Sequence, residues 1–134
     1  FDKNYEYYYG RTDILRKGEK VTIVATGAGV HEAKKAVEDS GIDAEIVIAS
    51  SIKKFDKTLE DSIKKTKKVI TVEDHNPHSG LGSQVALFCT EKGICLDSFK
   101  SIAVREYQLS GPPAELYAKA GIDSGSIADA LKTV

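Results

Sequence analysis

Glu73, Asp74 and His75 stand side by side, and His78 follows, within the stretch VITVEDHNPHSGLGSQVALF. Two carboxylates and two imidazoles so close together suit three kinds of chemistry. The first is acid–base work, because His is the side chain whose ordinary titration falls near neutral pH. A small hydrolase-like enzyme built on Glu73, Asp74 and His75 would use it. The chain has no nucleophile elbow G-x-S-x-G, no P-loop and no cofactor lysine in a recognisable setting. Acid–base groups without a substrate cradle do not make an enzyme. The second is metal binding through His75-x-x-His78 with Glu73 and Asp74 as oxygen ligands. Zinc histidines on one helix usually sit four apart, whereas here Pro77 breaks the backbone between them and no thiolate is near. No dedicated metal site is expected. The third is anion binding. Ser79-Gly80-Leu81-Gly82-Ser83 opens a helix, and its free N–H groups, with Ser79 or Ser83 as cap, can hold an anion or a carboxylate. The simplest occupant is a nearby carboxylate, with Glu73 one candidate. An independent small-ligand or anion-binding module would instead use the whole loop from 73 to 83.

The elements that must position this loop follow from hydrophobic pattern. KVTIVATG is a β-branched run closed by Gly27, and AEIVIAS and KKVITVED repeat the type, so each reads as a buried strand. Between them VHEAKKAVEDSG spaces Val30, Ala33 and Val37 as a helix ending at Gly41. Asp56 is placed to cap KTLEDSIKKTK, where Leu59 and Ile63 share a face. SQVALFCTEKG is a helix, a fourth core strand falls around Ser98 to Val104, and the tail holds two short helices, the second capped by Asp123 or Ser124. Strands alternating with helices predict a mostly parallel sheet covered on both faces. Glu73, Asp74 and His75 then fall at the carboxyl end of a strand, where such sheets place their ligand crevices. Residues 1–19 differ: Tyr5, Tyr7, Tyr8 and Tyr9 form an aromatic arm, and Thr12 to Arg16 can pair as an antiparallel edge with the first core strand, through a turn at Lys17–Gly18–Glu19. Residues 20–134 form one α/β domain. TGAG after the first core strand lacks the third glycine of a dinucleotide fingerprint, since Glu32 stands there.

Composition narrows the partners. With 134 residues the chain can bury a core unaided, and its 19 basic and 20 acidic residues leave a net charge of −1. A nucleic-acid binder would show a basic excess; the lysines from Lys53 to Lys68 are interleaved with acids, as on a solvated helix face. No apolar run reaches the roughly 20 residues of a membrane span. Cys89 on a helix and Cys95 on a strand read as two buried thiols of a reducing, cytoplasmic compartment. A chain that opens on Phe1 and contains no Met reads as a piece of a longer polypeptide.

Four blocks in order, Val21–Ala33, Ser51–Asp56, Thr71–Ser83 and Ser110–Asp123, carry VTIVATGAGVHEA, SIKKFD, TVEDH with GLGS, and SGPPAEL with AGID. This pattern resembles the C-terminal domain of transketolases and related thiamine-diphosphate enzymes. TVEDH with SGPPAEL and AGID favours the transketolase branch over the 2-oxoacid dehydrogenase branch. One departure is Ser79, where family members commonly carry the first glycine of Gly-Gly-x-G. The resemblance implies a three-layer α/β/α domain with a five-stranded mixed, mostly parallel sheet whose first strand runs antiparallel. It also implies that the parent enzyme transfers two-carbon ketol units between sugar phosphates. Thiamine diphosphate and Mg²⁺ would be held by other domains of a homodimer, with no catalytic or cofactor residue in this segment. The loop Glu73, Asp74, His75, His78, Ser79, Gly80, Gly82 and Ser83 would then face another domain or a second subunit, with its acidic and imidazole groups at least partly exposed, and the domain is suggested as a regulatory region.

Overall fold

The computed structural model describes residues 3–134, so the first two residues of the aromatic arm lie outside it. Five strands, β1 (Thr12–Arg16), β2 (Val21–Ala25), β3 (Ala44–Ala49), β4 (Lys68–Val72) and β5 (Ser98–Ile102), form one sheet in the order β1-β3-β2-β4-β5. β2, β3, β4 and β5 are parallel, and β1 pairs antiparallel with β3. The helices are α1 (Gly29–Ser40), α2 (Lys57–Thr66), α3 (Leu81–Glu91), α4 (Pro113–Ala120) and α5 (Ser124–Thr133).

β2 and β3 are buried along their whole length, as apolar strands with helices on both faces must be. On one face Ile23, Ile46 and Ile70 pack with Ala33 and Val37 of α1 and Ile127 and Leu131 of α5. On the other, Val24, Val47 and Val69 pack with Leu59 and Ile63 of α2 and Leu81, Val85 and Cys89 of α3. The result is the three-layer architecture expected from sequence, with the predicted antiparallel edge.

The edge strand takes a different neighbour from the expected one. β1 pairs with β3, Thr12 opposite Ala49, and not with β2 through a hairpin. β2 is apolar on both faces and takes the centre, between β3 and β4, which leaves the more polar TDILR to the rim. The link between β1 and β2 crosses the amino end of β3. There a Cβ on Gly18 would come within 2.2 Å of the Ala44 carbonyl carbon, so only glycine lets the chain pass. Lys20 N donates to Asp43 O (3.1 Å) and Glu19 N to the Asp43 carboxylate (3.2 Å), fixing the crossing.

Three local expectations also change. β5 stops at Ile102, because Val104 N turns away to donate to His75 O (2.9 Å). Cys95 lies in the loop before β5 and is exposed, whereas Cys89 is buried, where burial pushes its thiol pKa up. Asp56 does occupy the N-cap of α2, but its carboxylate accepts from the hydroxyls of Thr12 (2.6 Å) and Thr58 (3.3 Å) and not from the helix backbone.

Candidate functional site

β4 ends at Val72, and the next residue keeps the ladder going for one more step, Glu73 N donating to Ile102 O (3.0 Å). Its side chain therefore turns inward, and Glu73 is 1 % exposed. Its carboxylate accepts from Leu81 N (2.6 Å) and Gly82 N (2.8 Å), the first two amides of α3. The start of a helix leaves such amides without a partner and concentrates positive potential there, so a buried carboxylate is stabilised. Gly80 follows from this contact, and Gly82 from the close approach of β5. A Cβ on Gly80 would stand 1.9 Å from Glu73 Oε2, and one on Gly82 would stand 2.7 Å from Ser101 Oγ.

Glu73 thus departs from the expected exposure, because its charge is used inside the domain. The expected serine cap is also absent: Gly80 holds the N-cap position, and Ser83 Oγ donates instead to Pro77 O. Ser79 is exposed and its φ lies outside the left-handed region, so a side chain is tolerated at this position.

Asp74, His75 and His78 are exposed at the same end of the sheet. His78 N donates to Asn76 Oδ1 (2.8 Å), an Asx turn that holds the loop around Pro77. The hydroxyl of Tyr117 on α4 donates to Asp74 Oδ2 (3.0 Å); burial, followed by this bond, raises the phenol pKa. Ser124 N, at the start of α5, donates to Glu32 on α1 (2.8 Å). Asp123 caps α5 through Ser126 N (3.2 Å), and its bonds to Ser126 lower its pKa. The tail therefore spans the carboxyl ends of β2 and β4. The Tyr117 and Glu32 contacts were not legible in the sequence, since each joins residues more than forty positions apart, with no local spacing rule to mark them.

Little chemistry remains open here. Glu73 is remote from solvent, so Glu73, Asp74 and His75 do not converge on one substrate position. The two helix amides that would bind an external anion are taken by Glu73. In the TGAG turn, Gly29 N, Val30 N and His31 N bond to Thr26 O, Gly27 O and Ala28 O, so these three amides are not free for a pyrophosphate. Among the described residues, no group of three His, Cys, Asp or Glu side chains is placed to hold a metal ion. Among the same residues, no helix is long and apolar enough to cross a membrane.

The family model for the transketolase C-terminal domain matches residues 10–127, with the sheet and the Glu73 anchor inside that span. This chain belongs to the transketolase C-terminal domain family. It is 37 % identical over 131 residues to an apulose-4-phosphate transketolase subunit of Actinobacillus succinogenes, covering 94 % of this chain and 42 % of that protein. It is 32 % identical over 140 residues to mouse transketolase, covering 98 % of this chain and 22 % of that one. The chain thus spans less than half of these relatives. Among solved structures it resembles a chain described as a split gene transketolase, inactive beta4 tetramer, with TM-score 0.89 and 30 % identity over 99 % of this chain and 45 % of that one. Campylobacter jejuni transketolase shares the fold at TM-score 0.66 and 16 % identity, covering 100 % of this chain and 20 % of that one. The transketolase C-terminal domain is accordingly the frame in which the loop from 73 to 83 is placed.

Proposed function

We propose that this chain is a non-catalytic assembly domain of a thiamine-diphosphate-dependent transketolase. The parent enzyme would be cytoplasmic and would transfer two-carbon ketol units between sugar phosphates. One observation carries the non-catalytic part: Glu73, the carboxylate best placed to act at the carboxyl end of the sheet, is spent inside the domain on the start of α3. The same bonds weigh against the anion-binding alternative, which needs those amides. Thiamine diphosphate and Mg²⁺ are held in other domains of the parent, a homodimer. The exposed Asp74, His75, His78 and Ser79 face another domain or the second subunit, where hydrogen-bonded charge pairs fix register.

The test compares this chain alone with the parent polypeptide, intact and with this domain deleted, by calorimetric titration of thiamine diphosphate and by ketol transfer. The isolated chain neither binds the cofactor nor turns over, and the deletion loses subunit association. Ketol transfer by this chain alone would refute the proposal.

A further inference from the structure

A cleft of about 590 Å³ opens between α1 and the rim strand β1, at the carboxyl ends of β2 and β3, and shares no residue with the 73–83 loop. Its size suits a small ligand. Leu15 of β1, Ile48 of β3 and Val30 of α1 give it an apolar lining, and Leu15 is left 45 % exposed. Polar groups line the same space. Thr26 follows β2 and Ser50 follows β3, while His31 and Lys34 lie one turn apart on the same side of α1. Among the described residues, nothing bonds to either hydroxyl or to the His31 imidazole. Lys34 has only Glu38 for a partner, 3.8 Å away in an exposed pair that holds it weakly. No carboxylate of the described residues lines the cleft.

We propose that this cleft binds a small organic acid, one carboxylate on a branched or aromatic apolar body. The lining supplies a single lysine, so one negative charge matches it. A carboxylate accepts from that ammonium and from the Thr26 and Ser50 hydroxyls, and charge-assisted bonds of this kind are the strong ones. Leu15, Val30 and Ile48 receive the apolar body, which loses contact with water as it enters. A sugar phosphate fits poorly on both counts. Its second charge finds no second lysine, and its hydroxyls would lose water against Leu15 and Ile48. The site therefore differs in chemistry from one for the sugar phosphates of the proposed reaction. Anion recognition here uses side chains, since the amides of the TGAG turn are already bonded. The inference goes beyond the assembly reading and does not depend on it.

The test is titration of the 134-residue chain with phenylpropionate, followed through the backbone amide signals by NMR. The signals of Thr26, Gly27, His31 and Ser50 are expected to move together and saturate, with half-saturation at about 1 mM, as suits a ligand of this size. Phenylpropanol lacks the charge and acetate lacks the apolar body, so each binds at least about fivefold more weakly. Glucose phosphate binds more weakly as well. Lys34→Gln weakens phenylpropionate binding by about three- to tenfold. Lys35→Gln, at an exposed lysine outside the cleft, leaves it unchanged. Both substitutions lie on exposed side chains of α1, and an unmoved spectrum elsewhere shows the fold intact. Signals at the cleft that do not respond by about 20 mM overturn the proposal, as does binding indifferent to Lys34→Gln, or acetate or phenylpropanol binding as tightly as the acid.

Discussion

The domain buries two glutamates at opposite ends of one sheet, and they are satisfied by different means. Glu73, past the carboxyl end of β4, is held by two backbone amides at the start of α3. Glu45, near the amino end of β3, is 2 % exposed and accepts from Lys65 Nζ on α2 (2.8 Å), which also donates to Gly18 O (2.7 Å). Burial raises the pKa of Glu45, but hydrogen bonds from Lys65 and Ser62 and the nearby positive charge outweigh it, so its carboxyl lies below the ordinary value. Hydrogen bonding to Glu45, partly offset by burial, raises Lys65 above its own. The backbone partner cannot be mutated, carries no net charge and tolerates no bulk at Gly80. The lysine partner is replaceable, titrates, and is one-third exposed to water. The first kind of anchor belongs to the domain's architecture, and the second is an adjustable surface clasp.

The largest test of this contrast lies at Gly80. Gly80→Ala drives a methyl group against Glu73 Oε2, and Glu73→Ala leaves two buried amides without partners. Each is expected to cost about 3 kcal/mol in urea melts, in the range for an unsatisfied buried polar group. A loss under about 1 kcal/mol would show the anchor to be dispensable. At the other end, Lys65→Met strands Glu45 without its ion partner. The full penalty for a buried pair, about 3–5 kcal/mol, falls here to about 1–2 kcal/mol because water reaches the lysine. Adding Glu45→Leu should recover most of that loss in the same melts, and failure to recover would assign the cost to packing instead.

Acid sharpens the distinction. A carboxyl whose folded pKa is depressed contributes stability above its unfolded pKa, about 4.3 for Glu, and loses it as pH falls through the folded value. Wild type should therefore lose stability below about pH 4.3 more steeply than Glu45→Gln does, read from melts across that range. On the alkaline side the sign reverses. The Lys65 contribution is complete below about pH 10.4 and fades as pH rises through its raised folded value. The smallest effect belongs to the exposed neighbour. His75→Ala should shift the stability of this chain by less than about 0.5 kcal/mol. A larger loss would place the imidazole in the same structural anchor as Glu73.

The strands were legible because their apolar runs carry their own evidence: VTIVA, AEIVIA and KVITV need no partner to be recognised as buried. Glu73 was legible in half. The spacing SGLGS announced a helix start ready for a carboxylate, yet adjacency to Asp74 and His75 drew Glu73 into an exposed group. Alternation along an extended chain sends neighbours to opposite sides, and Asp74 faces water while Glu73 faces α3. The partner of β1 was not legible. A short turn at Gly18 favours a hairpin on local grounds, and only competition for the centre of the sheet, settled by β3 and β4 together, moves β1 outward. Cys95 was misplaced for a similar reason, since the apolar ICL precedes a strand that begins only at Ser98.

The rim position of β1 has a further consequence. Beneath it lies AEIVIA, six residues of high strand propensity with one charge, which makes a flat template for pairing with other chains. β1 covers that template with a strand carrying Asp13 and Arg16, bent by an irregular register between Ile14 and Arg16. Thr12 and Ala49 meet across 37 positions, so β3 must be in place before its cover can close. In that interval, and in any form of the protein clipped ahead of Lys20, the exposed ladder of β3 is an invitation to aggregate. TDILR therefore acts as a gatekeeper for solubility.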